Sequence, residues 1–169
     1  DNDDEYISQS SQRVAGMLPY FEKSSYITHV IYKEVRYHHI LSNLLSQDEG
    51  IKLILLVRNP IEVMNSWINA PKEFDKTWDI KKELVNAELK NQGKKENFYG
   101  LEAWVKTTIL FEKLENKYPE RVFFLKYSTL KNNTLETVKN IFGFCDLNFT
   151  EKTSNFIKES SEKKVFDTY

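Results

Sequence analysis

The chain is expected to be an α/β domain in three layers, a parallel sheet flanked by helices. Three observations predict this: near-continuous apolar runs of strand length, helical 3.6-residue periodicity between them, and a length of 169 residues, which suits one domain with a sizeable core. Three segments are expected as strands. Tyr26 to Lys33 is rich in β-branched and aromatic residues, with Ile27, Thr28, Val30, Ile31 and Tyr32. Ile51 to Val57 follows Gly50 as an almost unbroken apolar run, the pattern of a strand covered on both faces. Arg121 to Tyr127 carries Val122, Phe123, Phe124 and Leu125.

Helices are expected between and after these strands. Tyr37 to Ser46 aligns Ile40, Leu41, Leu44 and Leu45 on one stripe. Asn59 and Pro60 read as an N-cap and first helical position, opening a helix to about Asn69. Leu101 to Tyr118 is a longer amphipathic helix with Trp104, Val105, Thr108, Phe111 and Leu114 turned inward. Thr134 to Phe144 and Thr150 to Ser160 complete the set. From Pro71 to Gly100 the periodicity is weak and charges are frequent, as in a mobile excursion holding short helical pieces, where specificity often resides.

Composition excludes several classes of function. The formal net charge is -1, so no polyanion-binding signature exists and a nucleic-acid polymer is not an expected partner. The single cysteine, Cys145, rules out an intrachain disulfide framework and a cysteine-rich metal site. It lies in the apolar stretch Ile141 to Cys145 and reads as a buried, inert thiol. No run of about 18 apolar residues occurs, so no membrane span is predicted. The acidic start, Asp1 to Glu5, is unlike a secretory signal, and a cytoplasmic location is the expectation.

In a parallel α/β fold ligands bind where strands run into helices at their carboxyl ends. Attention therefore falls on Lys33 and on Arg58. Arginine is scarce here, with only Arg13, Arg36, Arg58 and Arg121, and its planar fork suits phosphate better than lysine does. Arg58 stands at the edge of the second expected strand, directly before the helix opened by Asn59-Pro60. Ser66 lies eight residues further on, close enough for both to grip one phosphate through charge-assisted hydrogen bonds. The helix also carries a polar stripe of Glu62, Asn65, Ser66 and Asn69 opposite an apolar one of Ile61, Met64 and Ile68. The residues alone leave a plainer alternative open, in which Arg58 pairs with a carboxylate and Ser66 faces water.

The segment Leu55-Leu56-Val57-Arg58-Asn59-Pro60 through Ser66-Trp67 resembles the 3′-phosphate-binding motif of sulfotransferases that use 3′-phosphoadenosine 5′-phosphosulfate (PAPS). In that family a hydrophobic strand is followed by Arg-Asp/Asn-Pro and a helix bearing serine eight residues after the arginine. Two further segments agree in order. Ile31-Tyr32-Lys33 resembles the strand ending in a lysine near the reacting sulfuryl group, and Phe124-Leu125-Lys126-Tyr127-Ser128-Thr129-Leu130 resembles the Tyr-Glu-Asp-Leu segment, with Ser-Thr in place of Glu-Asp. The resemblance runs across most of residues 27 to 161. It implies a P-loop NTPase-like sulfotransferase fold. It implies PAPS as donor and PAP as product with no metal, and a hydroxyl acceptor such as a carbohydrate or small molecule. It implies Arg58 and Ser66 on the 3′-phosphate, Tyr127 on the cofactor and Lys33 as the catalytic cation.

The resemblance is partial. The glycine-rich loop that holds the 5′-phosphosulfate has no counterpart among Gly16, Gly50, Gly93, Gly100 and Gly143, and the cofactor-covering C-terminal loop is missing too. The chain is accordingly expected to be part of a longer domain. The alternative is a non-catalytic nucleotide-phosphate-binding or scaffold module of the same fold. No catalytic base is assigned: valine, Val35, stands where cytosolic relatives place histidine, Glu34 qualifies on proximity alone, and His38 and His39 read as surface or cap residues. An ATP-using kinase relative is disfavoured by the lack of a Walker-type lysine.

Overall fold

A computed structural model describes residues 26–162. The chain divides into two units, Asp1–Lys33 and Glu34–Tyr169. In the first, the described residues, 26–33, form no strand, and Ile27, Val30, Ile31 and Tyr32 are exposed. The expected strand there is therefore corrected: β-branched composition favours a pleated ladder only where a ladder partner exists.

In the second unit the apolar runs Leu53–Val57 (β1) and Val122–Lys126 (β2) pair in parallel, in register from Leu53 with Val122 to Val57 with Lys126. A parallel pair needs a long crossover, and four helices supply it: Pro60–Ile68 (α2), Ile80–Asn86 (α3), Glu88–Asn91 (α4) and Leu101–Lys117 (α5). A 3-10 turn, His38–Ile40, and the helix Leu41–Gln47 (α1) precede β1. Tyr127–Asn132 (α6), Thr134–Phe144 (α7) and Glu151–Glu162 (α8) follow β2. The expected helix boundaries hold closely after Asn59.

One face of the strand pair is covered along most of its length. Leu55 and Val122 pack with Leu45 of α1 and with Phe111 and Leu114 of α5 in the main core. The other face is covered only along β2, where Leu125 is buried and Phe123 meets Phe144 of α7 at 5.4 Å between ring centroids. On β1 that face is open, with Ile54 42% and Leu56 49% exposed. The apolar run thus misled on one point, since β1 is not sealed on both faces among the described residues. Arg121 serves this core rather than a ligand. Its guanidinium donates to the carbonyls of Leu45 (2.8 Å) and Asp48 (2.9 Å), satisfying the acceptors that a helix end leaves over.

The Pro71 to Gly100 excursion has a core of its own. Trp67, Phe74 and Ala87 are buried, with Met64, Ile68, Trp78, Leu84 and Tyr99 packed around them. Asp79 caps α3 through the Lys81 and Lys82 amides. The buried Glu83 carboxylate accepts from the Leu89 and Lys90 amides, tying α3 to the first turn of α4. At Gly100 (φ 91°) a Cβ would lie 3.0 Å from the Val85 carbonyl, so only glycine lets α5 start against α3. One inward assignment fails, since Val105 is exposed, and Ile61 of the apolar stripe on α2 is exposed as well.

His38 also departs from expectation. It is not a surface residue but wedged edge-on between Phe98 (4.7 Å) and Phe111 (5.4 Å), and its Nδ1 is buried without a hydrogen-bond partner. Burial holds its pKa below the usual histidine value, against an opposing pull from Glu34, and the neighbouring His39 lowers it further. Because the folded state disfavours the proton, the unfolded chain binds more of it, and stability must fall as pH drops through the ordinary histidine range. The melting temperature is expected to decline from about pH 7 to about pH 5 more steeply in the native chain than in His38→Phe. Parallel curves for the two proteins would remove His38 as the cause.

Candidate functional site

Parallel register brings the two strand ends side by side. Val57 lies opposite Lys126, so the next residues, Arg58 and Tyr127, emerge together at the carboxyl edge. The Arg58 guanidinium sits over the Tyr127 ring, 5.1 Å from its centroid, a cation–π geometry. Immediately beyond, Asn59 turns the chain: its Oδ1 accepts from the Ile61 amide at 2.9 Å, and Pro60 occupies the first position of α2. The cap and the fixed proline φ determine where α2 starts relative to Arg58.

Two further groups hold Arg58. Its Nε donates to Glu62 Oε2 at 2.7 Å, an i,i+4 pair across the strand–helix turn. Trp104, in the first turn of α5, donates its indole N–H to the Arg58 carbonyl at 3.0 Å. Glu62 was legible as a neighbour four residues on. Trp104 was not, because only the folded crossover brings a residue 46 positions away to this turn; its sequence signal was simply that of an apolar helix face.

The plainer alternative therefore matches the described geometry, since Arg58 pairs with a carboxylate and Ser66 is exposed. The energies decide what this means. Both partners are about half exposed, and such i,i+4 pairs contribute about 0.3–0.5 kcal/mol. A guanidinium–phosphate hydrogen bond contributes about 1.5–3 kcal/mol. Glu62 can orient the guanidinium without outcompeting a phosphate.

Ser66 is exposed on α2. It lies one helical turn beyond Glu62 on the same face, since residues four apart stack along a helix. Arg58, Glu62 and Ser66 therefore follow one another along one side of the turn and helix. Lys33 is exposed and belongs to the first unit. Cys145 is half-buried, and burial pushes its thiol pKa up, which suits the expected inert role. Among the described residues no group of three or more His, Cys, Asp or Glu side chains could hold a metal ion, and no helix is long and apolar enough to cross a membrane.

The geometry is a guanidinium at a parallel strand edge, resting on an aromatic ring and paired with Glu62, with an exposed hydroxyl further along the helix. No curated protein and no solved structure matches the chain. The sequence profile of the sulfotransferase domain, however, matches residues 13–166, spanning both strands, the Arg58 turn and the helices on either side. On that match the chain belongs to the sulfotransferase domain family.

Proposed function

We propose that Arg58 and Ser66 bind the 3′-phosphate of PAPS, and that the domain transfers the sulfuryl group of PAPS to a hydroxyl acceptor, a carbohydrate or small molecule. The observation that carries this reading is the Arg58 guanidinium poised over Tyr127 at the carboxyl edge of β1 and β2, with Ser66 on the helix that follows. Arg58 supplies the positive charge and the fork, Ser66 a hydroxyl donor. Tyr127 stays on the cofactor side, its ring backing the guanidinium.

In the transfer, the bond from sulfur to the bridging oxygen of the donor breaks as a new bond forms from sulfur to the acceptor oxygen. PAP leaves with the electron pair, and the acceptor proton passes to a base. Lys33 is the candidate cation for the charge that develops on the departing group. The three-layer, P-loop-like form of the fold and a cytoplasmic location belong to the same reading.

Calorimetric titration with PAP and with adenosine 5′-monophosphate, which lacks the 3′-phosphate, tests it. PAP is expected to bind at least about a hundredfold more tightly, the lower end of what two charge-assisted hydrogen bonds contribute. Equal affinities would overturn the assignment. Trp104→Phe removes the indole N–H to Arg58 and leaves a smaller aromatic ring in its place. Its PAP affinity is expected to fall about threefold to tenfold, the net value of one hydrogen bond, with adenosine 5′-monophosphate binding unchanged. A loss shared by both nucleotides would instead mean general damage to the fold.

A further inference from the structure

A second polar cleft lies away from the Arg58 turn, in the excursion that precedes α5. It has a volume of about 330 Å³, and Arg36, Lys90 and Lys94 line it together with Trp78, Tyr99 and Asn97. That is within the range of small-molecule sites. Its walls are fixed by hydrogen bonds within the chain. Asn91 clamps Tyr99 at both ends, accepting from its amide at 3.0 Å and donating to its carbonyl at 2.9 Å. The turn carrying Lys94 is closed by the Lys94 amide on the Asn91 carbonyl (2.9 Å) and by the Asn97 amide on the Lys94 carbonyl (3.2 Å). The Tyr37 amide reaches the Glu96 carbonyl at 3.4 Å, which anchors the segment bearing Arg36 to the same turn.

The charges do not cancel. Lys90 is held between the Glu73 carboxylate and the face of Tyr99, with its ammonium 4.8 Å from the ring centroid. Tyr99 also donates its hydroxyl to Glu73 at 3.2 Å, so Glu73 is already matched inside the wall. Three cations therefore face two carboxylates, Glu73 and Glu96, leaving one excess positive charge beside two aromatic side chains. A fork, an ammonium and an amide around such a surface suit an oxyanion, with the Trp78 indole in the lining beside them to meet a flat neighbour.

We infer that this cleft is a second binding site, for a small ligand bearing a carboxylate or sulfate on a ring, with Arg36 and Lys94 gripping the oxyanion and Trp78 lying along the ring. It stands apart from the nucleotide reading: the lining shares no residue with Arg58, Ser66 or Tyr127.

The full chain titrated with methyl β-glucuronide and with phenyl sulfate tests it, followed by the indole N–H signals of Trp67, Trp78 and Trp104 in nuclear magnetic resonance. The neutral controls are methyl β-glucoside and phenol. At least one anionic probe is expected to saturate, shifting Trp78 most and leaving Trp104 in place, and the probe that binds identifies a sugar acid or an aryl sulfate as the source. Arg36→Ala and Lys94→Ala replace exposed side chains, and each is expected to weaken binding about tenfold without changing the melting temperature. The inference is overturned if neither anion saturates, if the neutral controls bind equally well, or if both variants bind as the native chain does. Displacement by PAP would overturn it as well, because the probe would then report the nucleotide site. Conversely, a failure of PAP to bind leaves these measurements intact.

Discussion

Arg58→Ala is expected to lower PAP affinity by about a hundredfold while leaving the melting temperature within about 1 °C of the native value. The two halves of this expectation rest on different energies. The guanidinium is partly exposed, pairing with a surface carboxylate and resting on the Tyr127 ring, so truncation costs the fold little. Against a phosphate the same group offers two charge-assisted hydrogen bonds and a full charge, about 3 kcal/mol in all. Arg58→Lys separates charge from geometry. The ammonium keeps the attraction but not the fork, and affinity is expected to fall about tenfold. Glu62→Gln should change PAP affinity by less than about threefold, because the pair it breaks is worth only about 0.3–0.5 kcal/mol. Titration of the three variants with PAP and adenosine 5′-monophosphate checks the set. If Arg58→Ala retained the preference for PAP, the phosphate would have to be held elsewhere.

What could be read from the chain divides along the range of the forces involved. The Asn59-Pro60 helix start was legible because cap and proline chemistry is local: the Asn59 side chain acts on an amide two residues away. The strands Leu53–Val57 and Val122–Lys126 were legible as apolar runs, and their parallel pairing followed from the helices between them. Tyr26 to Lys33 shows the limit. Its composition is as strand-like as that of β1, but a strand exists through its neighbours, and no residue-level propensity supplies one.

The site shows the same division. Arg58 and Ser66 were singled out by their spacing, and the Arg58–Tyr127 contact is a consequence of register, which places two strand ends at one edge. Trp104 and the wedge around His38 depend on where α5 crosses the sheet. The apolar periodicity of α5 was visible, but not which apolar side chain would turn its polar atom toward a carbonyl. The excursion was underestimated for a related reason. Weak periodicity over Pro71 to Gly100 suggested mobility, whereas its order comes from aromatic packing and from side chains such as Glu83 and Asn91 that bond backbone amides at a distance of six to eight residues.

Trp67→Ala is the substitution expected to cost the most stability, about 3–5 kcal/mol. The side chain is only 6% exposed, and its ring meets Phe74 at 5.1 Å and Tyr99 at 5.3 Å. Its indole N–H donates to the Glu73 carbonyl at 3.2 Å, so alanine leaves a cavity and removes a partner from a polar group. A domain has only about 5–15 kcal/mol of stability in hand, and the melting temperature should drop by roughly 10 °C. Because the Trp67 cluster is separate from the core around Leu55 and Phe111, the damage should be uneven. Hydrogen exchange should accelerate first across residues 71–100, while the amides of β1 and β2 keep more of their protection. Trp67→Phe, which retains the ring contacts but not the N–H, should recover more than half of the loss. Uniform loss of protection in both clusters would show that they unfold as one unit. Since Tyr99 lines the second cleft and Ser66 precedes Trp67 on α2, an uneven response also predicts the order of functional loss: the anion cleft fails before the Arg58 turn, whose cap and strand register do not depend on this ring.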